Sequence, residues 1–124
     1  MAQITPYLFY EDAEAAADFL TRAFGFEEKL REIGGAGGLH IELRLADEPV
    51  MIGQATWDYK NPKNSDNATA MVFAYVDDIV AIRERARSAG AEVVTELAEL
   101  PNGDRRTDIR DPEGHMWSFA EAAG

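Results

Sequence analysis

Apolar and polar positions follow one script twice along the chain. An apolar run, "ITPYLFY", meets an acidic pair at Glu11-Asp12, continues as the helical pattern "EDAEAAADFLTRAFGFEEKL", and stops at Gly25. The run "ATAMVFAYV" then meets Asp77-Asp78, continues as "DDIVAIRERARSAGAEVV", and stops at Gly90. Asp12 and Asp77 are placed to cap the two helices through free backbone N–H groups, and Gly25 and Gly90 to end them in the left-handed conformation. Ala16, Phe19, Leu20 and Phe24 share one helical face; Ile79, Ile82, Ala86 and Ala89 share the other.

Three strand candidates follow each helix. They are Glu27 to Ile33, Leu39 to Leu45 and Pro49 to Gln54 in the first set, and Glu92 to Glu96, Arg105 to Arg110 and His115 to Ala120 in the second. "GGAGG", "ADEP", "LPNGD" and "DPEG" separate them with turn chemistry. The pattern predicts an α+β fold of two tandem βαβββ units, residues 1–55 and 69–124, in one domain spanning 1–124. The polar stretch 56–68, "TWDYKNPKNSDNA", reads as the linker between them.

Length and composition narrow the class without changing the architecture. The 124 residues suit one domain, and 46% hydrophobic with 28% charged is a globular balance. There is no cysteine, which excludes disulfides, thiolate metal sites and a cysteine nucleophile. A net charge of −11 argues against a nucleic-acid partner, because phosphates recruit Lys and Arg, and it favours a cationic ligand or simple solubility. The start "MAQITPYLFYEDAEAA" lacks a basic leader, and no stretch approaches the roughly 18 apolar residues of a membrane span. A cytoplasmic protein with no membrane partner is expected.

From "TPYLFYEDAEAAADFLTRAFGF" to "DPEGHMWSF", with "GDRR" before the last hairpin, the chain resembles the vicinal oxygen chelate superfamily. That family contains glyoxalase I, extradiol dioxygenases, fosfomycin-resistance enzymes and bleomycin-resistance proteins. The resemblance implies two cupped mixed sheets enclosing a ligand, and a homodimer. In metal-dependent members, ligands come from the first and last strands of each unit. The matching positions here are Thr5, about seven residues before Asp12; Met71, about six before Asp77; and Ser118, where "D-P-x-G-N-x-x-E" has Glu. Gln54 is the nearest polar residue for the fourth strand. Thr5, Met71 and Ser118 are poor donors for a divalent ion, and the neighbouring Pro6, Val72, Trp117 and Phe119 offer none. No metal and no other cofactor is expected.

Other residues carry the remaining chemistry. His40 and Glu42 in "LHIEL" lie two apart on a strand and so share a face, which is either the cup or solvent. Facing the cup, they can bind a ligand or exchange a proton with it. Metal-poor members of the family are similar in carrying His-x-Glu-Leu here. Trp57 and Tyr59 are large aromatics on the linker, suited to ligand or dimer contact. Asp111 and His115 read as turn formers, and Trp117 with Phe119 as packing beneath a helix. One of Arg105 and Arg106 faces the cup.

The expected function is metal-independent binding of a cationic or aromatic small molecule, such as an antibiotic, resembling the bleomycin-resistance branch. Its ligand contacts are His40, Glu42, Gln54, Trp57, Tyr59, Met71 and Ser118. The alternatives are a glyoxalase-like lyase or dioxygenase-type enzyme, and an accessory protein without ligand. Convergence of three or more His, Glu or Asp side chains in one cup separates them.

Overall fold

Each expected element forms, with informative differences at its ends. A computed structural model describes residues 1–124. In chain order the first module contains β1 (Tyr7–Tyr10), α1 (Ala13–Phe19) running into a π-helical turn (Leu20–Phe24), β2 (Glu27–Ile33), β3 (Leu39–Leu45) and β4 (Glu48–Gln54). After α2 (Pro62–Ser65), the second contains β5 (Met71–Tyr75), α3 (Ile79–Ser88), β6 (Glu92–Glu99), β7 (Arg105–Arg110) and β8 (Met116–Glu121). Each module folds as a four-stranded mixed sheet, ordered β1-β4-β3-β2 and β5-β8-β7-β6, with the first and last strands parallel. No helix is long and apolar enough to cross a membrane.

The helix caps correct the sequence register. Asp12 accepts from Ala15 N–H at 3.1 Å, as expected, but in the second module Asp78, not Asp77, accepts from Ala81 N–H at 3.0 Å. Asp12 therefore stands thirteen residues before Gly25, and Asp78 only twelve before Gly90. The first helix takes up its extra residue as the π turn, so that both glycines end their helices in the left-handed region, at φ 82° and 87°. Counted from the true caps, Thr5 and Met71 each lie seven residues upstream. The apparent equality of Asp12–Gly25 and Asp77–Gly90 hid this insertion.

Strand ends move too: β4 begins at Glu48 rather than Pro49, and β8 runs from Met116 to Glu121 rather than from His115 to Ala120. β6 continues to Glu99 rather than stopping at Glu96, because Leu97 packs against the core and extends the pairing with β7 to Glu99–Arg105. The linker 56–68 holds α2, whose first turn is capped by Asn61 accepting from Asn64 N–H at 2.8 Å, with Pro62 in the first helical turn.

One apolar core lies between the helices and one face of both sheets. Ile41, Leu43, Val50 and Ile52 come from the first sheet, Ile109, Trp117 and Phe119 from the second, and Phe24 meets both Trp117 and Phe119 edge-on or tilted at 5.4 and 4.7 Å. Trp117 and Phe119 thus pack beneath a helix. Strand alternation sends the intervening residues to the opposite, cupped face.

Candidate functional site

The cupped faces repeat each other row by row. Both modules carry a bulge at the same place, Lys29 in β2 and Val94 in β6, after which Leu30 and Thr95 pair in equivalent register; β6 alone shifts again between Thr95 and Ala98. The row Tyr7–Met51–Glu42–Leu30 in the first sheet matches Phe73–Ser118–Asp108–Thr95 in the second. The next row, Phe9–Gly53–His40–Glu32, matches Tyr75–Ala120–Arg106–Ala98. Each cup therefore holds an aromatic ring from its first strand beside a nitrogen base and a carboxylate.

In the first cup, Tyr7 and His40 stack at 5.5 Å between ring centroids, with 26° between their planes. Tyr7 Oη lies 2.8 Å from His40 Nδ1, and His40 Nε2 lies 3.0 Å from Glu42 Oε2. A carboxylate only accepts, so Nε2 carries a proton; in the neutral form of the ring Nδ1 accepts from the Tyr7 hydroxyl. Partial burial, and then the neighbouring Glu42 charge, push the Tyr7 hydroxyl above the ordinary tyrosine range. Tyr7 is neutral at physiological pH.

In the second cup the positions equivalent to Tyr7 and His40 are Phe73 and Arg106, which supply neither a hydroxyl nor an acceptor nitrogen. Arg106 stands over the Phe73 ring, 5.4 Å from its centroid, and donates through Nε to Asp108 Oδ1 at 3.1 Å. Burial acts to raise the Asp108 pKa, but the Ser118 and Thr95 hydroxyls together with Arg106 outweigh it and hold the carboxyl below its ordinary range. Ser118 is fully buried, and its hydroxyl, though near enough to favour Asp108, completes no hydrogen bond of its own.

A cavity of about 630 Å³ runs between the two first strands. Pro6, Tyr7 and Phe9 form one wall, and Met71, Phe73 and Met116 the other. Tyr59, Lys60 and His115 close it from the connections, and no carboxylate lines it. Acidic side chains of the adjoining connections are engaged with backbone. Glu113 accepts from the N–H groups of Glu11 and Asp12 at 2.7 and 2.8 Å, and Glu11 accepts from Asn61 N–H at 2.8 Å.

The "DPEG" turn sets the distance between the modules. Asp111 Oδ2 accepts from Tyr10 Oη of β1 at 2.6 Å and from Trp117 Nε1 at 3.1 Å, while Oδ1 accepts the Glu113 and His115 amides. The His115 ring nitrogen Nε2 donates to Phe9 O at 2.7 Å, and the Tyr59 hydroxyl donates to the same oxygen at 2.8 Å. At Gly114 a Cβ would fall 2.5 Å from Lys63 N, so only glycine lets α2 rest on this turn. Asp111 and His115 are turn formers, as expected, and also bridge the modules.

The residues singled out from sequence separate into three groups. Tyr59 and Met71 line the cavity. His40 and Glu42 face the cup but stand behind Tyr7, and Trp57 lies outside the wall, edge-on to Phe9 at 4.7 Å. Ser118 is sealed beneath the second cup. Gln54 is a correction: Gly53, not Gln54, occupies the cup face of β4. Gln54 faces the helices, donating to Glu11 O and accepting from Ala13 N–H at 2.9 Å, because it shares the alternation of the buried Ile52. Sequence reasoning missed Tyr7, Phe9, Phe73 and Met116. The alternation within "YLFY" and "MVFAY" placed Tyr7 with Phe9, and Met71 with Phe73 and Tyr75, on one face each. Which face was the cup was not legible there.

The metal position of the resembling family can be tested on these side chains. No group of three or more His, Cys, Asp or Glu side chains is arranged so that it could hold a metal ion. Thr5, Met71 and Ser118 supply neither imidazole nor carboxylate, so the donor set does not fit a divalent ion.

Comparison with known proteins agrees with the repeat. The model of the Glyoxalase/Bleomycin resistance protein/Dioxygenase superfamily matches residues 1–119. An uncharacterized protein of Mycobacterium bovis (strain ATCC BAA-935 / AF2122/97) is 34% identical over 127 aligned residues, covering 95% of this chain and 82% of the relative. The crystal structure of TioX from Micromonospora sp. ML1 is 31% identical, covers 99% of this chain and 98% of its own, and superposes with a TM-score of 0.77. Glyoxalase I from Zea mays shares the fold at 15% identity and a TM-score of 0.79, over 97% of this chain and 44% of that one. The duplicated βαβββ sheets and the match over nearly the whole sequence place this chain in the glyoxalase/bleomycin resistance protein/dioxygenase superfamily, the vicinal oxygen chelate proteins.

Proposed function

We propose that the protein binds a flat, largely apolar small molecule, without a metal, in the cavity between β1 and β5, and that it acts by holding that molecule, as an antibiotic-sequestering protein does. The observation that carries this reading is the cavity wall itself: Tyr7, Phe9 and Phe73 present aromatic faces, and Met71 and Met116 adaptable apolar ones, across about 630 Å³. That volume suits a drug-sized ligand. A larger cleft of about 890 Å³ on the helix side is bounded by core side chains such as Phe24 and Trp117 and by the helix cap Asp78. It lacks a converging hydrogen-bonded group like that of the first cup.

The lining shifts the expected ligand away from a cation. The net charge of −11 is spread over the outside, whereas the one formal charge on the cavity wall is that of Lys60. A neutral or weakly acidic aromatic compound fits this wall better than an ammonium. Titrating a flat neutral probe such as 4-nitroanisole, followed by quenching of tryptophan fluorescence, tests the site. Micromolar binding is expected, weakened roughly tenfold or more in Phe9→Ala and Phe73→Ala by the loss of about 1.5–3 kcal/mol of aromatic contact each. Equal affinity in both variants places the ligand elsewhere.

The same reading includes a homodimer. Phe9, Met71, Phe73 and Tyr75 are 37%, 48%, 46% and 58% exposed on the cupped faces, and Trp57 is 52% exposed beside them. An apolar surface of this extent favours cover by a second copy across a two-fold axis. Light scattering at tens of micromolar is expected to give twice the chain mass of 13.7 kDa, and a monomer mass refutes this part of the reading.

A further inference from the structure

We propose that Tyr7, His40 and Glu42 form a proton relay through which the cavity takes up an aromatic weak acid by its O–H group and holds it as the conjugate base. The proposal rests on the reading of the cavity as a ligand site. Only the outer member of the relay, Tyr7, lines that cavity; His40 and Glu42 extend behind it, away from the ligand, at 2.8 and 3.0 Å per link. A bound molecule thus meets one hydroxyl with an acceptor base at its back.

The step balances without any change of oxidation state. The ligand O–H bond breaks and its proton bonds to Tyr7 Oη, while the hydrogen that Tyr7 shared with His40 moves fully onto Nδ1. The products are a phenolate-type anion accepting from Tyr7 Oη–H and an imidazolium donating to Glu42. Tyrosine never ionises, which agrees with its raised pKa. The groups that face the imidazole are carboxylates: Glu42 bonds to it on β3, and Glu32 pairs opposite it on β2. Lys60 at the cavity wall favours the anion.

Two features separate this arrangement from an ordinary surface network. At Gly53 a Cβ would lie 2.7 Å from Tyr7 Oη, so β4 leaves open the space in which the tyrosine reaches His40. In the equivalent row of the second cup, Phe73 has no hydroxyl and Arg106 no acceptor nitrogen, although the base–carboxylate bond is kept. The duplicated scaffold thus holds one version able to move a proton and one that cannot.

The test compares 4-nitrophenol, which turns yellow on ionising, with 4-nitroanisole, which cannot ionise. In the wild type, bound 4-nitrophenol is expected to ionise at a pH at least about one unit lower than the free probe, a tenfold or greater preference for the anion. Nitrogen NMR is expected to show the His40 ring protonated at Nε2 alone in the free protein and at both nitrogens with the probe bound. Tyr7→Phe should abolish both signals, with 4-nitroanisole titrated alongside to measure what the variant loses in wall contact alone; Glu42→Gln, at a partly exposed position, should reduce the shift with the fold intact. If 4-nitroanisole binds but 4-nitrophenol ionises as it does in water, or the shift survives in Tyr7→Phe, the relay is wrong and the cavity stands. If neither compound binds, both readings fall.

Discussion

Asp111→Ala is expected to lower the unfolding free energy by about 3–5 kcal/mol, a large part of the roughly 5–15 kcal/mol typical of a domain. The carboxylate gathers four donors from two modules: the Tyr10 hydroxyl, the Trp117 indole N–H and the amides of Glu113 and His115. Alanine leaves the first two buried without partners, each costing on the order of 1–3 kcal/mol. Tyr10 and Trp117 are 1% and 0% exposed, so water cannot replace the lost acceptor. Because the same turn fixes β1 against β8, ligand affinity should fall as well. Denaturant unfolding measures the first effect and 4-nitroanisole titration the second; a loss under about 1 kcal/mol would show that the bridge is dispensable.

The pH dependence of this bridge has a definite sign. Burial raises the Asp111 carboxyl above the ordinary aspartate range, against the lowering effect of its Tyr10 and Trp117 bonds. The folded protein therefore keeps a proton at Asp111 that the unfolded chain releases, so this group favours folding most below about pH 4 and loses that contribution as the pH rises through its raised value. Asp111→Asn cannot ionise. Its stability should decline less than that of the wild type as the pH rises from about 4, at a lower starting value, since an amide brings a donor where the carboxylate accepted.

Trp117→Ala and Ser118→Ala should differ by several kcal/mol although the residues are neighbours. Trp117 fills the core against Phe24 and Phe26, and its removal leaves a cavity costing about 3–5 kcal/mol. Ser118 lies on the opposite face with a buried hydroxyl that completes no hydrogen bond, so its replacement should change stability by at most about 1 kcal/mol. Trp117 also donates to Asp111, and the double variant Asp111→Ala/Trp117→Ala should therefore cost less than the sum of the two. Unfolding curves of these four variants and the wild type check both statements. Similar costs for Trp117→Ala and Ser118→Ala would mean that the two faces of β8 have been exchanged.

The position of Ser118 also shows how far spacing alone can be followed. Its place on the last strand was legible from the "DPEG" turn, and so was the absence of a donor there. Its burial was not, because that depends on Phe73 and Asp108 from the two strands beside β8. Gln54 shows the opposite case. One residue along a strand changes the face, so a polar residue beside the expected position was turned toward α1 and consumed by backbone groups.

The amino-acid sequence by itself determined the duplicated βαβββ order, the capping and terminating residues of both helices to within one position, the helical core faces, and a donor set unsuited to a divalent ion. These follow from periodicity, turn chemistry and side-chain type, which are local. Only the tertiary structure decided that Asp78 is the second cap, that the π turn absorbs an inserted residue, that the cavity lies between β1 and β5, and that Tyr7 stands between it and the His40–Glu42 pair. Strand periodicity gives which residues share a face; it leaves open which face is the cup and which strand lies alongside. Tyr7 and His40, thirty-three positions apart, meet because β4 inserts between β1 and β3 and presents a glycine where their side chains join.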